Sequence, residues 1–311
     1  MRMCKSIFSW ADYSSEDEEQ VVNSTAVKDG VLYIGTDRGL VIYDEEADTV
    51  CENELTEALD GVRIRCIYTD THENMWICTS GKGVYELTAD EELLVYDSNN
   101  GAGGSKFRTM VELEGGEMLA AGDLGLTFIK NGEVKNIVGY QDGMNNPKVL
   151  CAIEQSDGTI LAGTDGNGID VIKDGKVVGN LGKDDGLSSE VVLRMVKDEE
   201  NGGIFVVTSN NICYMDNEGI RILDNFPYYN NYDVVVGSDN TLFVLSSAGI
   251  YVVDKNEMLA GKDIEYKLLD SRAGLDAALT PNAWNGIDED GDVYLSTDVG
   301  VMCMNLNNYE V

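Results

Sequence analysis

One short sequence pattern occurs seven times in the chain, and this repetition limits the possible folds more than any other feature. The clearest copy covers residues 30–44, GVLYIGTDRGLVIYD, which reads as two short apolar strands joined by a tight polar turn. The turn contains Thr, Ser or Asp and ends on a residue that can adopt a positive φ. Aligned on that closing residue, the copies fall at Gly39, Gly83, Gly125, Gly168, Asn211, Gly249 and Gly300.

The spacing of these closing residues indicates the fold class. Successive intervals are 44, 42, 43, 43, 38 and 51 residues. A period near 43 in a pattern of strands and turns is typical of β-propellers. Asn211 replaces Gly in the fifth copy, and Asn tolerates the left-handed conformation better than other non-Gly residues. We therefore predict the same backbone conformation at Asn211.

Each copy has a strand-like segment before the hairpin and a looser one after it, which makes four strands per repeat. The strands are apolar in runs, as expected where both faces of a sheet are buried against neighbouring sheets. The sequence therefore predicts an all-β, seven-bladed propeller with four antiparallel strands per blade. We expect residues 1–311 to form this single domain, because the repeats occupy residues 21–306.

The last repeat is one strand short, and the beginning of the chain has one to spare. Val301–Leu306 reads as the third strand of the seventh repeat, and the given sequence ends five residues later. Lys5–Trp10 (KSIFSW) is strand-like and precedes an acidic stretch, residues 11–20, that reads as a loop. We predict that Lys5–Trp10 closes the ring as the outer strand of the seventh blade, because pairing protects both sheet edges.

The composition disfavours several classes of partner. The formal net charge is −34, so phosphate backbones and anionic lipid surfaces are repelled, and we expect no nucleic-acid partner. Residues 1–10 lack the apolar run of a signal peptide, and no apolar stretch reaches 18 residues, so we expect no direct membrane insertion. The seven Cys include no CxxC pair and fall mostly in strands, where a free Cys acts as a small apolar residue.

Residues for catalysis or metal binding are scarce. His72 is the only histidine and lies in an acidic turn, so any His-dependent triad or metal site would have to use it. The segment 288–292 (DEDGD) has alternating carboxylates like a calcium loop, but its Gly is misplaced and Val299 stands where a bidentate Glu belongs. We interpret it as a solvated turn. The sequence predicts no catalytic residue, no metal and no cofactor.

Several repeats resemble a known family. The element DDGLSSEVVLRM, from Asp184, and the strands MWICTSGKGV, from Met75, and LYIGTDRGLVIYD, from Leu32, are similar to the two-component regulator propeller repeat. This resemblance implies the extracytoplasmic, ligand-sensing part of a membrane receptor whose output domain is a histidine kinase or a cyclic-dinucleotide synthase. The given residues include neither, so the resemblance implies a fused or partner signalling domain. The residues themselves leave the compartment open.

Arginines are concentrated near one predicted face of the propeller. They lie at the starts of inner strands or in the repeated turn, around the predicted opening of the central channel. Positive charge at this opening of an acidic protein would attract an anion. Arginine also binds carboxylate or phosphate through two hydrogen bonds. Ion pairs with acidic residues of neighbouring blades are the alternative interpretation. The predicted ligand-binding residues, which include two aromatic residues able to stack on a ligand, are Arg65, Arg194, Arg108, Arg63, Arg38, Trp284, Tyr229 and Asn285.

The predicted function is a non-enzymatic sensor propeller that binds a small anionic molecule or an oligosaccharide. One alternative is a scaffold for protein–protein interaction, which predicts an exposed apolar patch. A more remote alternative is a lyase-like enzyme, because the virginiamycin-type lyases also look like seven-bladed propellers. Those enzymes depend on a catalytic histidine and a metal, which His72 alone supports poorly.

Overall fold

The structure is a computed structural model that describes residues 3–13 and 20–309. The chain forms two compact units. The first unit comprises Met1–Glu112 together with Asp270–Val311, and the second comprises Leu113–Leu269. Strand content dominates both units, as the repeated hairpins predict.

The first unit contains thirteen of the described strands. In chain order they are β1 (Cys4–Ser9), β2 (Val22–Lys28), β3 (Val31–Thr36), β4 (Leu40–Asp44), β5 (Thr49–Cys51), β6 (Ile64–Thr69), β7 (Met75–Thr79), β8 (Val84–Leu87), β9 (Leu93–Tyr96), β10 (Phe107–Glu112), β26 (Gly286–Ile287), β27 (Asp292–Ser296) and β28 (Gly300–Asn305). Two short helices accompany them, α1 (Trp10–Tyr13) and α2 (Glu54–Ala58).

The second unit contains the strands between β10 and β26. They are β11 (Met118–Gly122), β12 (Gly125–Lys130), β13 (Glu133–Val138), β14 (Val149–Glu154), β15 (Ile160–Thr164), β16 (Ile169–Lys173), β17 (Lys176–Leu181), β18 (Val192–Asp198), β19 (Gly203–Thr208), β20 (Ile212–Asp216), β21 (Gly219–Ile222), β22 (Asp233–Val236), β23 (Thr241–Ser246), β24 (Gly249–Asp254) and β25 (Tyr266–Leu269). One helix, α3 (Lys255–Leu259), follows β24.

The described strands form seven sheets of four antiparallel strands, so the fold class is the predicted seven-bladed β-propeller. Blades 1 to 6 take consecutive groups of four strands from β2 to β25, with the inner strand first. Blade 7 is the exception, with the order β1-β28-β27-β26. Its outer strand comes from the other end of the chain.

The N-terminal strand closes blade 7 as predicted. β1 pairs with β28 from Cys4 opposite Met304 to Ser9 opposite Gly300. The strand is shifted by one residue from the predicted bounds, because Trp10 begins α1 instead of ending β1. Part of the acidic stretch predicted as a loop is therefore helical, and residues 14–19 lie outside the described residues.

The repeated turn is stabilised by one recurring hydrogen bond. In six blades a Thr or Ser hydroxyl at the end of the second strand donates to the carbonyl of the turn-closing residue, as Thr164 Oγ1 does to Gly168 at 2.9 Å. The six closing glycines have φ between 67° and 149°. A Cβ on Gly168 would also overlap the carbonyl oxygen of Leu181, at the end of the outer strand. Glycine is therefore required at this position for two reasons, the positive φ and the lack of space for a Cβ.

The prediction for Asn211 is wrong. It is not among the described non-Gly residues with positive φ. Its backbone carbonyl still accepts from Thr208 Oγ1, and its own side chain accepts from the Ile212 N–H at 2.8 Å. This local hydrogen bond gives the turn a second way to close without a left-handed residue.

The acidic turn before the second strand holds an aromatic side chain in the sheet. In blade 2, Asp70 accepts from the backbone N–H groups of His72 and Asn74 and from the indole Nε1 of Trp76, each at 2.8–2.9 Å. Burial raises the pKa of Asp70, but these hydrogen bonds outweigh it and hold the pKa below the usual value. Trp76 is buried, whereas Tyr33 at the corresponding position in blade 1 is half-buried.

A β-bulge near the start of the inner strand recurs in four blades. The pairing of inner and second strands skips Asn23 in β2, Arg65 in β6, Leu150 in β14 and Leu193 in β18. The residue after the bulge is buried in all four strands, at 0–3% exposure: Ser24, Cys66, Cys151 and Arg194. The skipped residues Arg65, Leu150 and Leu193 are half-buried, whereas the skipped Asn23 is buried like its neighbour. A bulge leaves one residue out of the ladder, so in three of these strands it separates a half-buried side chain from a buried one.

The cysteines mostly behave as small apolar residues. None of the seven, all of which lie in the described residues, forms a disulfide, and six are buried, with Cys51 in β5 as the exposed exception. Within residues 3–13 and 20–309, no helix has the length and apolar character needed to cross a membrane.

Candidate ligand-binding rim

The inner strand of blade 7 is interrupted, unlike the inner strands of the other blades in the first unit. Leu279 forms a bridge with Thr297, and regular pairing resumes only where Gly286 lies opposite Tyr294. Residues 280–285 leave the strand between these two points. This excursion explains part of the long 51-residue interval between the last two repeats.

The excursion pairs with the neighbouring blade. The Trp284 N–H donates to Asn23 O and the Thr25 N–H donates to Trp284 O, both at 3.0 Å. Ser24 Oγ also donates to Trp284 O, at 2.9 Å. These bonds form a short parallel bridge between blades 7 and 1 and leave the Trp284 ring half-buried.

Three buried polar side-chain atoms lie beside this bridge. Asn285 Oδ1 accepts from the Ser296 N–H at 2.8 Å, which fixes the amide orientation and turns Nδ2 away from that bond. The Thr280 N–H donates to Ser296 O at 3.0 Å. Among the described residues, Asn285 Nδ2, Ser296 Oγ and Thr280 Oγ1 have no hydrogen-bond partner. An unsatisfied buried donor is costly, so such atoms indicate a bound water or ligand atom.

Polar contacts continue from the bridge into blade 2. Asn23 Nδ2 donates to Asp37 Oδ1 at 2.8 Å and to the carbonyl of Ile64 at 3.1 Å. Arg63 Nε lies 2.7 Å from the same Asp37 oxygen, and both side chains are a little under half exposed. Arg65 Nε donates to Ser80 Oγ at 2.7 Å and is half-buried. We call this set the blade 7–1–2 rim: Thr280, Trp284, Asn285, Ser296, Asn23, Asp37, Arg63 and Arg65.

The two other predicted arginines of the first unit, Arg38 and Arg108, are not part of the blade 7–1–2 rim. Arg38 lies exposed in the turn between β3 and β4, where its backbone carbonyl accepts from the Gly61 N–H at 2.7 Å. Arg108 is half-buried near the start of β10. The rim therefore combines four of the predicted residues, and Arg38 and Arg108 are not linked to it by the hydrogen bonds described above.

Arg194 lies in the second unit and has a different environment. Its side chain is 3% exposed, and its Nε lies 3.3 Å from Asp233 Oδ1 at the start of β22. Burial raises the pKa of Asp233, and the Arg194 charge opposes that rise without cancelling it. Arg194 thus fits the alternative interpretation of an ion pair between neighbouring blades.

Tyr229 also belongs to the second unit. Its ring stacks on Tyr251 of β24, with centroids 5.1 Å apart and an interplanar angle of 17°. Tyr266 meets Tyr251 edge-on at 5.1 Å. Tyr228, Tyr229 and Tyr266 each expose 38–44% of their surface. We call these three residues the tyrosine patch.

The residues considered for catalysis are placed as follows. His72 is 72% exposed, with Nδ1 4.0 Å from Glu112 Oε1. Asp288 accepts from the backbone N–H groups of Asp290 and Asp292 at 3.1 and 2.9 Å, so its carboxylate stabilises a turn. Within the part of the chain that the structure describes, no group of three or more His, Cys, Asp or Glu could hold a metal ion.

Sequence reasoning missed Thr280 and Ser296. In the sequence Thr280 lies in a segment that reads as a loop and Ser296 in one that reads as a strand, and neither position shows that its hydroxyl lacks a partner among the described residues. The 51-residue interval between Gly249 and Gly300 was the sequence feature that could have led to them, because it indicated extra residues in this part of the chain.

Comparison with known proteins supports the fold. No protein-family model and no curated protein sequence matches the chain. Among solved structures, the chain is similar to the extracellular domain of BT3049 from B. thetaiotaomicron, described as a hybrid two-component system, with a TM-score of 0.80 and 14% identity. The match covers 100% of this chain and 42% of the BT3049 chain.

Two further structures are similar in fold. The extracellular domain of BT4673 from B. thetaiotaomicron, also described as a hybrid two-component system, has a TM-score of 0.74 and 15% identity, covering 98% of this chain and 43% of that one. A catalytically inactive virginiamycin B lyase from Staphylococcus aureus with quinupristin has a TM-score of 0.72 and 13% identity, covering 97% and 99%. The chain thus spans less than half of the two-component domains and nearly all of the lyase. At these identities the likeness establishes the fold class.

Proposed function

We propose that this chain is a non-enzymatic sensor propeller that binds a small anionic molecule or an oligosaccharide at the blade 7–1–2 rim. The observation that carries the proposal is the group of three buried polar atoms without partners, Asn285 Nδ2, Ser296 Oγ and Thr280 Oγ1. A ligand with several oxygens would satisfy them. Such buried groups favour the ligand that pairs with them over one that leaves them unpaired.

The surroundings of these atoms favour an acidic or sugar-like ligand. Arg63 and Arg65 bring two guanidinium groups to the same rim, and Asp37 offsets part of the charge of Arg63. The half-buried Trp284 ring adds an aromatic surface. Few, well-placed polar groups beside apolar surface are typical of small-molecule sites.

The compared structures support a sensing role. Two of them are extracellular domains described as parts of two-component systems, and the repeats resemble those of regulator propellers. We therefore place the chain outside the cytoplasm and expect a fused or partner signalling domain. This chain spans less than half of those extracellular domains, so its role as part of a signalling receptor belongs to the proposal.

Calorimetric titration with uronate oligosaccharides and dicarboxylates tests the site. Asn285→Asp keeps the Oδ1 acceptor for Ser296 but replaces the free donor, so it should weaken binding by about tenfold or more while folding is retained. Asn308→Asp is the matched control, because it adds the same charge at an exposed position beyond the far end of β28. Arg65→Ala should also weaken binding. Unchanged binding to both rim variants would exclude this site.

The tyrosine patch favours a second candidate, a protein-interaction scaffold. Two of its partly exposed rings, Tyr229 and Tyr266, pack on the buried Tyr251 in the second unit, and Tyr266 also meets the buried Phe226. Exposed aromatic surface is enriched at protein interfaces. A scaffold would lose partner binding on Tyr229→Ala and Tyr266→Ala and ignore Asn285→Asp, whereas the proposed sensor would show the opposite pattern.

The likeness to the lyase defines a third candidate. That structure matches this chain over nearly its full length, but the lone His72 is mostly exposed and pairs only loosely with Glu112. We expect no turnover when the protein is incubated with quinupristin. Turnover that His72→Ala abolishes would replace the sensor proposal with an enzymatic one.

A further inference from the structure

Two cysteines of blade 2 lie directly opposite each other in neighbouring strands. Cys66 in β6 is the pairing partner of Cys78 in β7. Directly opposite residues of an antiparallel pair have their side chains on the same face of the sheet, with Cβ atoms about 4.5–5.5 Å apart. Cys66 is 3% exposed and Cys78 is fully buried. The two thiol groups are therefore neighbours in the interior of the first unit.

The packing within blade 4 shows how closely side chains approach at this position. Cys151 follows the bulge of β14 as Cys66 follows that of β6, and its pairing partner is Gly163. A Cβ on Gly163 would lie 2.7 Å from Cys151 Sγ, which is closer than unbonded atoms normally come. In blade 2 the opposite residue is Cys78 instead of glycine. A sulfur that takes the same orientation on Cys66 therefore meets the side chain of a second cysteine.

The surroundings of the pair determine when the thiols can react. Burial raises the pKa of Cys78 well above its usual value, and the neighbouring Cys66 adds to that rise. Cys66 Sγ also lies 3.9 Å from the hydroxyl of Thr109 in β10. The thiolate is the reactive form of cysteine, so a buried and protonated Cys78 is protected from oxidants in the closed blade. Oxidation requires a blade that is still folding or has opened locally.

We propose that Cys66 and Cys78 form a reversible cross-strand disulfide when the chain folds in the presence of an organic disulfide. The thiolate of one cysteine attacks that disulfide and releases one thiol, and the other cysteine then attacks the mixed disulfide and releases the second thiol. The two cysteines lose two electrons and two protons, which the organic disulfide gains as it becomes two thiols. Only the source of the oxidant rests on the proposed location outside the cytoplasm, where disulfides persist.

The strand geometry favours a bond that is easily reduced. A disulfide needs Cβ atoms about 3.5–4.5 Å apart, so β6 and β7 must approach each other by about 1 Å at this pair. A disulfide that departs from its preferred geometry is more readily reduced. The pair therefore responds to the surrounding thiol–disulfide balance instead of acting as a permanent link.

The bond would fix the strand pairing next to the blade 7–1–2 rim. The bulged Arg65 directly precedes Cys66 in β6. Ser80, whose hydroxyl accepts from Arg65 Nε, follows Cys78 by two residues. A covalent link at this level ties the bulge of β6 to β7 and makes local opening of the blade harder.

Refolding in glutathione mixtures tests the pair. The full chain is used as its Cys51→Ser variant, because Cys51 is the exposed thiol. Denatured protein is refolded at a series of ratios of reduced to oxidised glutathione, once from reduced and once from oxidised protein. Free thiols are then alkylated and mapped by mass spectrometry. We expect peptides linked through Cys66 and Cys78 at oxidising ratios and free thiols at reducing ratios, with the same fraction from both starting points.

The chain provides its own matched control. Cys151 is equally buried but lies opposite Gly163, so it should stay a free thiol at every ratio. Cys66 should also stay free when Cys78→Ala is added. The proposal is overturned if no ratio yields the Cys66–Cys78 bond, if Cys66 pairs with glutathione or another cysteine instead, or if the bond survives the most reducing ratio. No ligand enters this experiment, so its failure and the failure of the rim proposal are distinguishable.

Discussion

Arg65 and Arg194 begin inner strands of two blades and were predicted to act together, yet the structure gives them opposite environments. Arg65 is the bulged residue of β6, half-buried, with its Nε on the Ser80 hydroxyl. Arg194 follows the bulge of β18 and is 3% exposed beside Asp233. A shift of one position relative to the bulge therefore separates an arginine at a polar rim from one in a buried ion pair.

The largest effect expected from this difference is on stability. Arg194→Met leaves the Asp233 carboxylate buried without its cationic partner, and breaking a buried pair on one side costs about 3–5 kcal/mol. Denaturant unfolding at neutral pH measures the loss. Changing both residues, Arg194→Met with Asp233→Val, should recover much of it. A loss below about 1 kcal/mol for the single variant would show that the pair is not structural.

The pH dependence of that loss follows from the direction of the Asp233 pKa. Burial raises this pKa above its unfolded value, and Arg194→Met removes the opposing charge and raises it further. A raised pKa in an acid favours the protonated folded state, so the variant is least impaired at low pH and loses stability as pH rises through the folded pKa.

We therefore expect the difference in unfolding free energy between wild type and Arg194→Met to be small near about pH 4 and to grow toward neutral pH. Unfolding curves across this range check it. Arg65→Met serves as the control, with a difference that does not follow this profile. A pH-independent loss in Arg194→Met would contradict the assignment.

The smallest stability effect is expected at the rim. Arg65→Met removes a hydrogen bond to a neutral hydroxyl at a half-buried position, which costs about 1 kcal/mol or less. The same denaturant experiment measures it. A loss as large as that of Arg194→Met would mean that Arg65 is also a structural residue, and it would remove the contrast between the two strands.

Much of the fold could be predicted because the hairpin of each blade is encoded by residues of its own repeat. The turn-closing residues, six glycines and Asn211, marked all seven sheets, and the missing outer strand after Val301–Leu306 indicated that an N-terminal strand closes blade 7. These features are local, or they follow from counting strands. Asn211 was the local failure, because its side chain provides a hydrogen bond that replaces the left-handed turn.

The candidate site was harder to predict for a physical reason. Whether Arg65 or its neighbour is buried depends on the pairing register with the next strand, which one strand alone does not encode. The excursion 280–285 likewise depends on pairing with both β27 and β2. Sequence reasoning identified Trp284 and Asn285 but not the hydroxyls of Thr280 and Ser296 beside them.

The most direct test of the rim proposal observes the Asn285 side chain itself. In a ¹H–¹⁵N spectrum, the Asn285 side-chain NH₂ signals can be assigned by their disappearance in Asn285→Asp. We predict that adding a saturating uronate oligosaccharide shifts these signals, because the ligand supplies the acceptor that Nδ2 lacks among the described residues. Side-chain signals of Asn308 should stay in place. If the ligand binds and the Asn285 signals do not move, the blade 7–1–2 rim is not its site.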